Sequence, residues 1–150
     1  MTEANIRINV REEIVRAEEC LKEADALERE GFYAGGVSRL YYAVFHCVRA
    51  LLIGKGLEPK THEGALRLLG LHFIKTGILD TEISHIFARL MKYREEADYN
   101  PSYIFTREDY VSFKKRGRSS VHSGQRVSEK RRYDLSVSLF TAVVFTSIFN

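Results

Sequence analysis

Two groups of side chains in this chain have the types and spacing for phosphate chemistry. Arg94 and Asp98 stand four residues apart on a predicted helix, and Tyr99 follows at once. A guanidinium holds two oxygens of one phosphate together. A carboxylate one turn further on would orient it, and a tyrosine at the helix end would lie within reach of a nucleotide. Arg94 and Asp98 are therefore the candidate catalytic pair. A simple i, i+4 ion pair, worth about a few tenths of a kcal/mol, explains the same spacing. The second group is Ser38, Arg39, Tyr42 and His46. Arg39 and His46 lie one heptad apart on one helix face, so they could converge on a phosphate. A buried polar network with Tyr42 accounts for them as well, and Ser38 also suits a hydroxyl bonded back to a helix carbonyl. Ser38, Arg39, Tyr42, His46 and Arg94 are together the candidate nucleotide- or phosphate-binding residues.

Other chemistry is poorly served. His62 belongs with the capped start of a helix, and His72 and His85 have no partner at ligand spacing. Neither Cys-x-x-Cys nor His-x-x-x-His occurs, so no metal site and no cofactor are expected. Gly35-Gly36 lacks the strand and the further glycines of a dinucleotide fingerprint. Tyr93, Tyr103 and Tyr110 could stack on bases, and aromatic packing at a bundle end explains them as simply.

The elements that must position these groups are helices. Residues 35–52 split at helical period into three faces. Val37, Leu40, Tyr41, Val44, Phe45, Val48, Leu51 and Leu52 make a broad apolar face. Gly36, Ala43, Cys47 and Ala50 make a strip where another helix could come close. Ser38, Arg39, Tyr42, His46 and Arg49 make a polar stripe. This pattern predicts a central bundle helix that also lines a site or an interface. Before it, Ile14, Ala17, Leu21, Ala24 and Leu27 predict a first helix from about Val10 to Glu30, stopped by Gly31. The second helix starts near Tyr33 and ends before Gly54. Thr61 caps a third, which runs toward Gly77 with Ala65, Leu66, Leu68, Leu69 and Phe73 on its apolar face. Asp80 or Thr81 caps a fourth, with Ile83, Ile86, Phe87, Leu90, Met91 and Arg94 facing inward. Pro101 ends it near Tyr99. Thr106-Arg-Glu-Asp opens a last helix. The fold class is all-α, an antiparallel up-down bundle of four to five helices.

Composition agrees with one such domain. The chain has 150 residues, 45% hydrophobic and 29% charged, enough for a real core. Its net charge of +3 is unevenly spread. Residues 1–113 carry 15 basic and 18 acidic residues, net −3, whereas residues 114–150 carry 8 basic and 2 acidic, net +6. A pI near 8.9 is thus weak evidence that the bundle itself binds nucleic acid. Residues 1–113 form the expected bundle. Residues 114–150 form an atypical segment, first basic, then hydrophobic from Leu135 to Phe149, expected to be irregular. That stretch is shorter than the roughly 20 apolar residues of a membrane span. With no signal peptide in view and only Cys20 and Cys47, a reduced cytoplasmic setting with no membrane partner is the expectation.

Ser38-Arg-Leu-Tyr-Tyr-Ala-Val-Phe-His46, Pro59-Lys-Thr-His62, His72-Phe-Ile-Lys-Thr-Gly77 and Arg94-Glu-Glu-Ala-Asp-Tyr99 occur in this order. Over roughly residues 10–113 the chain resembles the stand-alone prokaryotic HEPN domains. The resemblance implies a four- or five-helix bundle that commonly forms a homodimer. It also implies pairing with a minimal nucleotidyltransferase in a toxin–antitoxin or stress-response module. Many HEPN domains are metal-independent endoribonucleases, using an arginine followed after four to six residues by a histidine near the start of a late helix. Here Arg94 is followed by Asp98 and Tyr99, with no histidine in range. Arg39 and His46 satisfy that spacing, but on the second helix. A tyrosine with an ordinary pKa of about 10 passes protons poorly at neutral pH. In nucleotidyltransferase-paired HEPN proteins a tyrosine near this motif is modified with AMP, which makes Tyr99 the candidate acceptor. The alternative is a non-catalytic bundle that binds a nucleotide or a partner.

Overall fold

A computed structural model describes residues 2–112 of the chain, and the expectation for 114–150 lies outside them. Four helices, α1 (Glu3–Arg29), α2 (Tyr33–Gly54), α3 (His62–Leu69) and α4 (Thr81–Tyr99), are joined by short links. A π-helical turn, Gly70–Ile74, extends α3, and residues 107–112 are helical again. The described residues contain no strand. The protein is an all-α bundle.

Local chemistry sets most of the boundaries. The Thr61 hydroxyl accepts from the Gly64 N–H and the Asp80 carboxylate from the Glu82 N–H, which satisfies donors that a helix start leaves orphaned. Thr106 and Asp109 exchange the same kind of bond before the last helical segment, a reciprocal cap. Gly31 and Gly77 take positive φ values of 80° and 73° where the chain must reverse.

Three boundaries depart from expectation. α1 begins at Glu3, about two turns before Val10, because Thr2 caps it and Arg7 pairs with Glu3 at 3.0 Å. Those turns are mostly solvent-exposed and carry no apolar stripe to betray them. α2 retains Gly54, and Gly56, with φ of 75°, makes the reversal instead. The third helix stops being α at Leu69. There the ladder widens by one residue, with Lys75 N–H donating to the Gly70 carbonyl, and Phe73 is fully buried.

α2 is the central helix, and its contacts with α1 and then α4 are the most extensive in the fold. Glu13 meets His46 and Arg49, while Glu23 meets Arg39, so α1 runs antiparallel to α2. On the other side Phe87 stacks near Phe45 and Tyr41, and Asp98 reaches Ser38, so α4 is antiparallel too. The broad apolar face of α2 is the core, with Leu40, Tyr41, Val44, Val48, Leu51 and Leu52 inaccessible. Its small-residue strip is buried as well, and Tyr110 packs against Gly36.

Candidate functional site

The packing of α4 on α2 turns Arg94 inward. Its neighbours at helical spacing, Ile83, Ile86, Phe87 and Leu90, are apolar and buried, so the same face carries the arginine into the bundle. The residue is 8% exposed, and among the described residues its Nε has no hydrogen-bond partner. Its carboxylates are distant for a buried cation. Asp98 Oδ2 lies 3.7 Å from Nη1 and Glu95 Oε1 lies 3.9 Å from Nη2, against about 2.7–2.9 Å for a charge-assisted hydrogen bond. Burial disfavours the guanidinium charge. Tyr42, Tyr99, Tyr41 and Asp98 outweigh it and raise the pKa. The cation persists with donors to spare.

Aromatic rings enclose it. The guanidinium carbon lies 5.1 Å above the Tyr41 ring and 5.9 Å from the Tyr99 ring. Tyr41 is inaccessible, whereas Tyr99, the last residue of α4, is 75% exposed. Ser38, also buried, donates to Asp98 Oδ2 at 3.4 Å, so its hydroxyl turns to α4 rather than to a carbonyl of its own helix. Ser38, Arg94, Asp98 and Tyr99 thus gather at one end of the α2–α4 pair.

Arg39 and His46 are engaged elsewhere. His46 Nδ1 lies 2.7 Å from Glu13 Oε2, and Arg49 Nε donates to Glu13 Oε1 at 2.8 Å. Burial alone would raise the Glu13 pKa, but the hydrogen bonds from His46 and Arg49, with their charge, hold it below the ordinary value. Arg39 pairs with Glu23 at 3.3 Å and lies 4.8 Å over the Tyr42 ring. The polar stripe of α2 is therefore matched largely by acids of α1, with Tyr42 under Arg39 on one side and packed edge-on to Tyr41 and His62. Arg39 and His46 do not converge on a common point with Arg94. Tyr110 is buried against Gly36 and Tyr33, which leaves it no face for a base. Tyr93 and Tyr103 pack on Phe105.

One residue joins the cluster that sequence reasoning assigned only to a helix start. His62, the first residue of α3, hydrogen-bonds through Nδ1 to the Tyr41 hydroxyl. Its ring lies 4.3 Å from Phe45 and edge-on to Tyr42. Burial and then the charge of Arg94 lower its pKa. The signal for it was the Pro-Lys-Thr-His string, which stood among the motifs but carried no role. Among the described residues no group of histidines, cysteines and acids could hold a metal, and no helix is long and apolar enough to cross a membrane.

The comparisons with known proteins bear on this arrangement. A model of the HEPN domain matches residues 10–119. A Methanocaldococcus jannaschii protein named as a putative toxin is 38% identical over 96 residues, 64% of this chain and 65% of its own length. A second protein of that organism, also named as a putative toxin, is 37% identical over 95 residues, 63% of this chain and 71% of its own. A Thermotoga maritima protein named UPF0332 is 35% identical over 107 residues, 68% of this chain and 81% of the relative.

Proposed function

The chain belongs to the HEPN-domain family, and from that membership we propose that it is the effector half of a toxin–antitoxin or stress-response pair, with its working site at Arg94. One observation carries the reading. A buried, charged arginine holds its own carboxylates at 3.7 and 3.9 Å and keeps Nε unpartnered among the described residues. The surrounding tyrosines and Asp98 keep the guanidinium charged despite burial, yet the Nε–H is left with an uncompensated desolvation cost. A phosphate would offset it, because it meets the guanidinium through two parallel hydrogen bonds.

The substrate class is RNA and the reaction is cleavage without metal. The 2′-hydroxyl attacks the adjacent phosphorus and gives its proton to solvent. The P–O5′ bond breaks to leave a 2′,3′-cyclic phosphate, and the departing 5′-oxygen takes a proton from solvent. Arg94 stabilises the charge gathering on the phosphate oxygens. Asp98, beside Arg94, orients it. The similarity to proteins named as putative toxins supports the toxin role, not the choice of substrate.

Tyr99 is the point of control. Its exposure leaves the hydroxyl open to a minimal nucleotidyltransferase partner. The phenolic oxygen attacks the α-phosphorus of a nucleoside triphosphate, pyrophosphate leaves, and the hydroxyl proton goes to solvent. AMP on Tyr99 would then cover Arg94. Two copies of the chain pair as a homodimer in this reading.

A second reading, a bundle that binds a nucleotide or partner without catalysis, is favoured by His62. Its Nδ1 is occupied by the Tyr41 hydroxyl, so the ring beside Arg94 is poorly placed to accept a proton. Incubating the protein with total RNA, without metal and beside a folded Arg94→Ala variant, separates the two. Cleavage by the wild type alone supports the nuclease. Intact RNA, with mass spectrometry showing Tyr99 free of AMP, rejects it in favour of the binding module.

A further inference from the structure

Tyr41 is fully buried and has Arg94 over its face and His62 on its hydroxyl. Burial pushes its pKa well above the ordinary phenol value, so it is a neutral donor. A buried O–H without an acceptor costs about 1–3 kcal/mol. Arg94 offers only donors, which leaves His62 Nδ1 to accept. A neutral imidazole that accepts at Nδ1 carries its proton on Nε2. His62 is half-buried, and among the described residues no hydrogen bond engages Nε2. The ring also stands in the first turn of α3, whose N–H groups favour negative charge nearby.

Resting on the reading that Arg94 holds a phosphate, we propose that His62 is the second recognition group of that site. Its Nε2–H donates a hydrogen bond to a phosphate oxygen of a bound nucleotide, and Tyr41 is the positioning residue that sets the tautomer. Arg94 supplies the charge and His62 the direction. The imidazole works uncharged. Arg94 and Tyr41 face it from α4 and α2, with Tyr42 and Arg49 also on α2, Glu63 beside it on α3 and Glu95 on α4. Burial, Arg94 and Arg49 oppose its protonation more strongly than Glu63 and Glu95 favour it. Nucleotide affinity is therefore not switched by His62 between neutral and mildly alkaline pH.

The test uses the full chain with 5′-AMP as the probe, binding being measured by calorimetry and the imidazole nitrogens followed by NMR. The wild type should bind AMP and Arg94→Ala should lose it. His62→Phe, which keeps a ring against Phe45 but no nitrogen, should weaken binding about tenfold, the worth of one hydrogen bond. His62→Gln should restore most of that loss. The free protein should show the Nε2–H tautomer, with the Nε2 resonance moving when AMP is added. Unchanged binding by His62→Phe, or a proton found on Nδ1, overturns the inference while leaving the Arg94 site standing. Should His62→Phe fail to fold, an Nε2 resonance unmoved by AMP in the wild type overturns it alone. If the wild type does not bind AMP, or Arg94→Ala binds it equally well, the phosphate reading fails and the role of His62 with it.

Discussion

Gly36 and Tyr110 are in contact so close that a Cβ on Gly36 would lie 2.9 Å from Tyr110 Cε2. The glycine sits inside α2, where it costs about 1 kcal/mol relative to alanine. Its missing side chain admits a fully buried aromatic ring onto the central helix. The strip of small residues on α2 thus has a definite occupant at this end.

Gly36→Ala should therefore lower the melting temperature despite the gain in helix propensity. Overpacking costs about 1–3 kcal/mol, which exceeds the propensity gain over most of that range. Gly70→Ala is the control. Nothing lies within 4 Å of its added Cβ, and its φ of −57° suits alanine, so it should be neutral or stabilising. A Gly36→Ala variant as stable as the wild type would show that Tyr110 yields freely.

Glu13 ties α1 to α2 through His46 and Arg49, and its side chain is only 15% exposed. Glu13→Gln should cost about 1–2 kcal/mol, because it weakens two charge-assisted bonds at once. Since the folded pKa is depressed, the contribution is complete above the unfolded value of 4.5 and is lost as pH falls through the folded one. Urea melts between pH 7 and 3 should show the wild type losing this increment and the variant never having it.

His62 gives a second pH limb of known sign. Its folded pKa is lowered from 6.5, so below that value the unfolded chain binds more protons than the folded one. Stability is then fully present above pH 6.5 and falls as pH drops toward the folded pKa. His62→Phe should flatten the curve in this window. A wild-type curve already flat there would mean that the ring is not desolvated.

Arg94→Met probes whether the buried arginine serves stability or chemistry. The methionine fills the space over Tyr41 without a charge to desolvate, and the carboxylates it leaves unpaired, Asp98 and Glu95, are 34% and 55% exposed, so no deeply buried charge is stranded. We expect melting within about 1 kcal/mol of the wild type, with AMP binding and any RNA cleavage abolished. A large loss of stability would instead make Arg94 a structural tie between α4 and α2.

Much of the frame was legible because helix rules are local. Thr61, Asp80 and the Thr106–Asp109 pair cap helices as their types predict, and Gly31 and Gly77 stop them. The inward row of α4 already contained Arg94, since periodicity registers position whatever the side chain. The first turns of α1 escaped because they bury little and carry no apolar stripe. The π-helical turn after Leu69 escaped because one inserted residue hardly alters a short apolar pattern.

By itself the sequence determined an all-α bundle with a three-faced central helix, and an arginine turned inward near the end of α4. Those properties depend on caps, breakers and a 3.6-residue period, all written within a few turns of chain. Which polar groups meet was decided only by tertiary structure. The antiparallel register of α1 on α2 puts Glu13 beside His46 and Arg49 rather than leaving that stripe open to a ligand. The seating of α3 brings His62 onto Tyr41 beneath Arg94. Periodicity tells which face a residue occupies, but the partner across the interface depends on how whole helices slide and cross to fill the core. No local spacing encodes that.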